Sequence, residues 1–242
     1  GGLCPSDKHS SWIIDISLYQ KIFDDTVTSA EMFSDGSCVY RDSNRKVVGH
    51  SKLVDGKTVW FRGKGNKIPV AESASLGNFL GSAQLLWGDK VASRINIIPP
   101  KGLTGGVNRT LFCDSNGVFL GERTVPVGTM SPCPRWTNAV GTKIAEESYD
   151  VANMASDALE NTLDGEKIYN SFTLTEEAFG SESITYYYKK NGNLVGSSEK
   201  ELEFIEGGSK PYRHTGNTIW RNTDRKIVAR TSTRASEPRT LD

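Results

Sequence analysis

The side chains that most often carry chemistry are few in this chain, and they do not fall into a reactive spacing. Three histidines, His9, His50 and His214, are scattered along 242 residues. A hydrolytic triad would need one of them as its base. His50 and His214 lie on or near strand ends and read as ordinary surface or hydrogen-bonded residues. Asp24-Asp25, Glu146-Glu147 and Glu176-Glu177 could be offered as the acid and base of a glycosidase. Residues adjacent in sequence do not face each other, however, and nothing fixes the separation such a pair requires. No GxSxG elbow, HExxH helix, P-loop or GxGxxG turn is present. The residues predict a non-enzymatic protein with no cofactor and no metal.

The four cysteines, Cys4, Cys38, Cys113 and Cys133, contain no CxxC pair and have no histidines at zinc spacing. An even count without metal spacing points to two disulfides and an oxidising compartment. Their pairing stays open. If the strands holding Cys38 and Cys113 are neighbours in one sheet, the two side chains point to opposite faces and that pairing is the least favoured. The chain starts Gly1-Gly2-Leu3-Cys4 with no apolar signal core, so a secreted protein is expected here in its mature form, after loss of a leader. Asn108-Arg109-Thr110 is a glycosylation sequon, a pattern short enough to arise by chance.

Net charge is zero but unevenly distributed. Residues 1–143 carry 17 Lys and Arg against 12 Asp and Glu, residues 144–207 carry 4 against 14, and residues 208–242 carry 8 against 3. Two neighbouring strand systems neutralising each other would explain this. The functional alternative is a basic patch built from Arg221, Arg225, Lys226, Arg230, Arg234 and Arg239 that faces an acidic partner. Aromatic residues are not interleaved with those charges as a stacking module for nucleic acid requires. No apolar run approaches the length of a membrane-spanning helix.

Three helices are predicted around this chemistry. In 10–25, Trp12, Ile16, Tyr19 and Phe23 share a helical face behind a Ser11 cap. A second helix is expected over 72–88, weakened by Gly77 and Gly81. The third, 148–163, carries Val151, Met154, Ala155, Ala158 and Leu159 as its stripe and ends at Asp164-Gly165. Everything else is punctuated as short strands rich in β-branched and aromatic residues, for example "GSCVYRD", "RTLFCDS", "NLVGSSEKELEFI" and "NTIWRN". The fold class is therefore mainly β with a few helices. All four cysteines lie in the first 133 residues, which places a domain boundary near residue 140.

One pattern recurs. "YRDSNRKVVG" at 40–49 returns as "FCDSNGVFLG" at 112–121, as "YKKNGNLVG" at 188–196 and as "WRNTDRKIVA" at 220–229. Each runs from an aromatic strand through a polar turn to an apolar pair and a small residue, which is the chemistry of a β-hairpin. The intervals are not periodic, so the pattern is read as a turn solution reused rather than as a duplicated domain. Tyr186-Tyr187-Tyr188 puts two rings on one strand face and one on the other. The outward ring, taken as Tyr187, together with Tyr212 and Trp220 forms a candidate platform for sugar or protein.

The combination of a processed N-terminus, an N-terminal helix, a β-rich unit bearing Cys4, Cys38, Cys113 and Cys133, and a strand-rich, cysteine-free 166–242 resembles the dual-domain (FOLD) effectors secreted into xylem by the fungus Fusarium oxysporum. The resemblance is architectural and spans the whole chain. It implies a disulfide-stabilised β-barrel-like domain over 1–140 and a β-sandwich domain over 141–242, with pro-peptide removal by a kexin-type protease. It also implies action on a host plant protein, recognition by an immune receptor, and no catalytic residues. A secreted, monomeric effector that binds a host target is the leading expectation. A carbohydrate-binding or protease-inhibiting module is the alternative. A third reading, a cytosolic β-barrel, rests on "DSNGVFLGE", which looks like the strand-turn-strand unit of tubby-like and LURP-one-related proteins.

Overall fold

A computed structural model describes residues 15–65, 67–100, 106–128, 133–151, 153–175, 183–206 and 212–232. The strands are β1 (Ser29–Met32), β2 (Cys38–Arg41), β3 (Val47–Val54), β4 (Lys57–Arg62), β5 (Pro69–Ala74), β6 (Val91–Ile97), β7 (Val107–Asp114) and β8 (Phe119–Pro126), followed by β9 (Arg135–Asn138), β10 (Lys143–Ser148), β11 (Asn170–Leu174), β12 (Thr185–Tyr188), β13 (Leu194–Phe204), β14 (Tyr212–Asn222) and β15 (Ile227–Ser232). The helices are α1 (Ile16–Phe23), α2 (Leu80–Trp87) and α3 (Asn153–Ala158). Sheet order follows chain order throughout. Antiparallel ladders join β1 to β8 in sequence, and likewise β9 to β15. The protein is mainly β, as its strand-like punctuation predicts.

The chain forms two compact units that divide at 128/129, with the short segment Asn78–Ser82 belonging to the second. The cysteine distribution points instead to about 140. The difference arises because the hairpin β9–β10, and with it Cys133, belongs to the second unit. The helices are shorter than the apolar stripes suggest. α1 is capped by Asp15, whose carboxylate accepts the Ser17 backbone N–H, and Ser11 lies outside the described residues. The helix expected over 72–88 forms over Leu80–Trp87, the residues before it lying in β5 and in a 3₁₀ turn over Gly77–Phe79. The 148–163 stripe becomes α3 and a separate 3₁₀ turn over Glu160–Thr162.

Five ten-residue hairpins share one construction: Tyr40–Gly49, Phe112–Gly121, Trp136–Ala145, Tyr187–Gly196 and Trp220–Ala229. In each the aromatic residue pairs with the terminal small residue, and a β-bulge follows beside that pair. The sixth residue of each, Arg45, Gly117, Gly141, Gly192 or Arg225, has positive φ. In four of the five an Asp or Asn at the third position closes the turn. Asp42 Oδ1, for example, accepts the backbone N–H of both Asn44 and Lys46, and Asp114, Asn138 and Asn222 repeat this. A short polar side chain that accepts from the backbone two and four residues on replaces the bonds the ladder loses at the turn. The copy at 136–145 has an Ala-Val-Gly turn and was not apparent beside the other four.

Ladder positions in the two units also follow a common scheme. In the first unit Tyr40 pairs with Gly49, Ser51 with Trp60, and Trp60 with Ala71. In the second, Tyr187 pairs with Gly196, Ser198 with Trp220, and Trp220 with Ala229. The Tyr40 hydroxyl lies 3.1 Å from Ser51 Oγ, and the Tyr187 hydroxyl lies 2.9 Å from Ser198 Oγ. A helical segment presses on the same glycine in both: a Cβ at Gly49 would meet the Phe23 ring and the Phe61 carbonyl, and one at Gly196 would meet Leu159 and the Arg221 carbonyl. Strands β1–β5 of the first unit and β11–β15 of the second thus share one pairing scheme, each beside a helical segment. Hairpin 40–49 corresponds to 187–196, while 220–229 corresponds to the longer turn between Trp60 and Ala71.

Each unit has its own core. Leu18, Ile22, Phe23 and Val27 pack with Cys38, Tyr40, Trp60, Leu111 and Cys113 in the first. Ala155, Leu159 and Leu163 pack with Tyr187, Val195 and Trp220 in the second. The expected disulfides are not found among the described residues: Cys38, Cys113 and Cys133 carry free thiols, and Cys4 lies outside them. β2 and β7 are not sheet neighbours, so the opposite-face argument does not apply. Cys38 and Cys113 enter one core as small apolar side chains, and Cys133 is exposed.

Candidate interaction surface on the long hairpin of the second unit

The corresponding hairpins differ in length, and the difference isolates a surface. Trp60 follows Ser51 by nine positions, and the first hairpin closes at once through Asp55 and Gly56. Trp220 follows Ser198 by 22, so β13–β14 carries 13 additional residues. A register shift between Lys200 and Leu202 marks where the addition leaves the core. Beyond it the pairs are Leu202 with His214, Glu203 with Arg213 and Phe204 with Tyr212. All six residues are exposed.

Strand alternation sorts this ribbon into two faces. Leu202, Phe204, Tyr212 and His214 share one, with Leu202 44%, Phe204 63% and Tyr212 56% exposed. The Phe204 and Tyr212 rings meet edge to face, with centroids 5.6 Å apart and planes at 67°. The other face is polar. Arg213 donates to Glu203 through both Nε and Nη2 at 3.2 Å. At the ribbon's base, Glu201 accepts from Asn217 Nδ2 at 2.8 Å, Thr215 Oγ1 at 2.9 Å and Arg230 Nε at 2.9 Å. The Asn217 bond first, then those of Arg230 and Thr215, hold the Glu201 carboxyl below the usual carboxylate range. A two-stranded ribbon alone is marginal in water, and this polar bracket joins its base to β15.

The proposed binding residues scatter. Tyr212 is on the ribbon, but neither Tyr187 nor Trp220 is at the surface. Tyr187 is 8% exposed and bonded to Ser198, because the bulge beside it turns both Tyr187 and Tyr188 inward. Burial, moderated by the Ser198 bond, raises the Tyr187 pKa. Two of the basic residues pair with the acidic segment, and Arg234 and Arg239 lie outside the described residues. Arg221 Nε lies 2.8 Å from Glu199 and Arg230 Nε 2.9 Å from Glu201. Arg221 also donates to the Arg225 carbonyl, so its guanidinium braces a turn. Arg225 and Lys226 are exposed in that turn.

Among the described residues the candidate catalytic groups do not converge. His50 stacks on Phe61 at 5.1 Å and its Nδ1 donates to the Gly63 carbonyl, while His214 stands on the ribbon and His9 lies outside the described residues. Asp24 caps α1 with left-handed backbone and Asp25 pairs with Arg62. Glu146 pairs with Lys143, whereas Glu147 is buried, accepting from Trp136 Nε1 at 2.7 Å and from the Tyr149 hydroxyl at 3.3 Å. Glu176-Glu177 lies outside the described residues. Among the described residues no group of three or more His, Cys, Asp or Glu could hold a metal, and no helix is long and apolar enough to cross a membrane.

Sequence reading missed Leu202 and Phe204. Their alternation with glutamates in "ELEFIE" marks an amphipathic strand, but a strand pattern does not say whether its apolar face is covered. No protein-family model, curated protein or solved structure matches this chain.

Proposed function

We propose that this chain is a secreted, non-enzymatic fungal effector that acts by binding a host plant protein, with the β13–β14 ribbon as its docking element. The observation that carries the binding reading is the ribbon itself: 13 residues absent from the equivalent hairpin of the first unit, displaying Leu202, Phe204 and Tyr212 to solvent. Exposed aromatic side chains on a preformed element supply the anchors that dominate protein interfaces. The effector class rests on the dual-domain resemblance, which the division into two compact units supports. In this reading the first unit closes as a barrel, the second as a sandwich, and an immune receptor is a further partner.

A sugar platform has less support, because stacking on sugar rings favours rings presented flat and the Phe204 and Tyr212 planes stand at 67°. The tubby-like and LURP-one-like reading is favoured by the free core thiols of Cys38 and Cys113 and by strands that pair strictly in chain order.

The test places a photoreactive benzoylphenylalanine at position 204 and irradiates the protein in plant apoplastic fluid. A discrete protein adduct that unlabelled protein competes away is expected. The same probe at Val140, which is 86% exposed and remote in sequence, should not give it. Absence of any competed adduct, or the same adducts from both positions, would overturn the reading.

A further inference from the structure

We propose that Asn108 is an N-glycosylation site whose glycan covers an apolar strand end of the first unit; the inference rests on the secreted reading. The sequon Asn108-Arg109-Thr110 is the chain's sole Asn-x-Ser/Thr triplet. It lies at the start of β7, where alternation separates its members. Arg109 faces inward, donating to Glu122 at 2.9 Å and to the Lys21 carbonyl at 3.2 Å, while Asn108 faces outward and is exposed. Leu111 and Cys113, on the Arg109 side, enter the core. The acceptor amide of Asn108 makes no hydrogen bond among the described residues, so attaching a sugar breaks no contact of the fold.

The surroundings supply a second, independent reason. Across the ladder Asn108 pairs with Val125, and the backbone N–H of Val127 bonds to the Gly106 carbonyl, carrying this strand end on past the sequon. Val107 lies on the opposite face with Arg109, whereas Val127, which shares the face of Asn108 and half-buried Val125, is 40% exposed. This is an apolar patch at the open end of two strands, where association with other chains is a hazard. A glycan on Asn108 is bulky and solubilising and would stand over Val125 and Val127.

The group transfer needs a lipid-pyrophosphate-linked oligosaccharide as donor. Asn108 Nδ2 forms a bond to the anomeric carbon as that carbon's bond to the pyrophosphate oxygen breaks. Nδ2 loses one proton, lipid pyrophosphate leaves, and nothing is oxidised or reduced.

The test expresses the full chain behind a heterologous leader in a glycosylating eukaryotic cell and maps peptides of the secreted protein, so it does not depend on how the native chain is exported. The expected result is a heterogeneous mass above that of the bare chain. Treatment with an N-glycan amidase should collapse it, converting residue 108 to aspartate, and Asn108→Gln and Thr110→Ala should each abolish it. Amidase-treated protein should also aggregate at lower concentration than untreated protein. Secreted protein with an unmodified Asn108 peptide would overturn the site. Modified protein with unchanged aggregation would overturn the shielding role. Failure of the effector reading would appear separately, as loss of the competed adduct at position 204.

Discussion

Tyr40 holds three elements of the first core at one oxygen. Its hydroxyl receives the Trp60 indole N–H at 3.1 Å and lies 3.1 Å from Ser51 Oγ. Tyr187 contacts only Ser198 in this way, because Trp220 donates to Thr231 Oγ1 at 2.8 Å. Leaving a buried polar group unpaired costs about 1–3 kcal/mol. Tyr40→Phe should therefore destabilise the protein more than Tyr187→Phe, and denaturant midpoints of the two variants check the order. Cys113 gives a pH signature. Burial pushes its thiol up to about 12, above the ordinary value of about 8.5. A raised folded-state pKa means that the neutral thiol's contribution is complete below the unfolded pKa and is lost as pH rises towards the folded one. Stability should fall from about pH 8.5 upward, and less steeply in Cys113→Val between there and pH 10, before the tyrosines contribute. At this scale the divergence of adjacent carboxylates was legible in one pair, where Glu146 binds Lys143 and Glu147 is buried. The burial of Tyr187 was not legible, because a bulge one residue away decides it.

Among the elements, turns could be read and their equivalence could not. A hairpin turn is set by a few consecutive residues, so Asp42, Asp114 and Asn222 announce it locally. The common pairing scheme is defined by ladder partners 9 to 22 residues apart, and the longer β13–β14 hairpin in one unit hides the common spacing. The helix of 72–88 was legible over its second half: α2 holds Leu80, Ala83, Leu86 and Trp87, while β5 and the positive φ of Gly77 keep it from starting earlier. The ribbon's base is itself testable. Glu201 is held ionised below the usual carboxylate range by Asn217, Arg230 and Thr215. A lowered folded-state pKa means that this contribution is present above the unfolded pKa, about 4.3, and lost as pH falls through the folded value. Amide exchange within 201–204 and 212–217 should accelerate as pH is lowered from the unfolded value through the folded one, once corrected for intrinsic rates. Glu201→Gln should show the faster exchange already at neutral pH. Unchanged protection in that variant would remove the bracket from the account.

For the whole molecule, mainly-β architecture follows from strand-like segments bounded by Gly, Asn, Asp and Pro, whereas the disulfide expectation came from cysteine parity alone. Parity does not distinguish a cross-link from a small core side chain, and Cys38 and Cys113 occupy core positions with free thiols. The central claim is that the added hairpin length serves binding and not folding. It is tested most directly by replacing residues 201–217 with Val-Asp-Gly-Lys, the turn that closes the equivalent hairpin of the first unit, and repeating the cross-linking with the probe at position 221 in both proteins. The shortened protein should keep a cooperative unfolding transition and lose the competed plant adduct that the full-length protein gives at that position. A shortened protein that retains the adduct undiminished, or that no longer folds, would contradict the account.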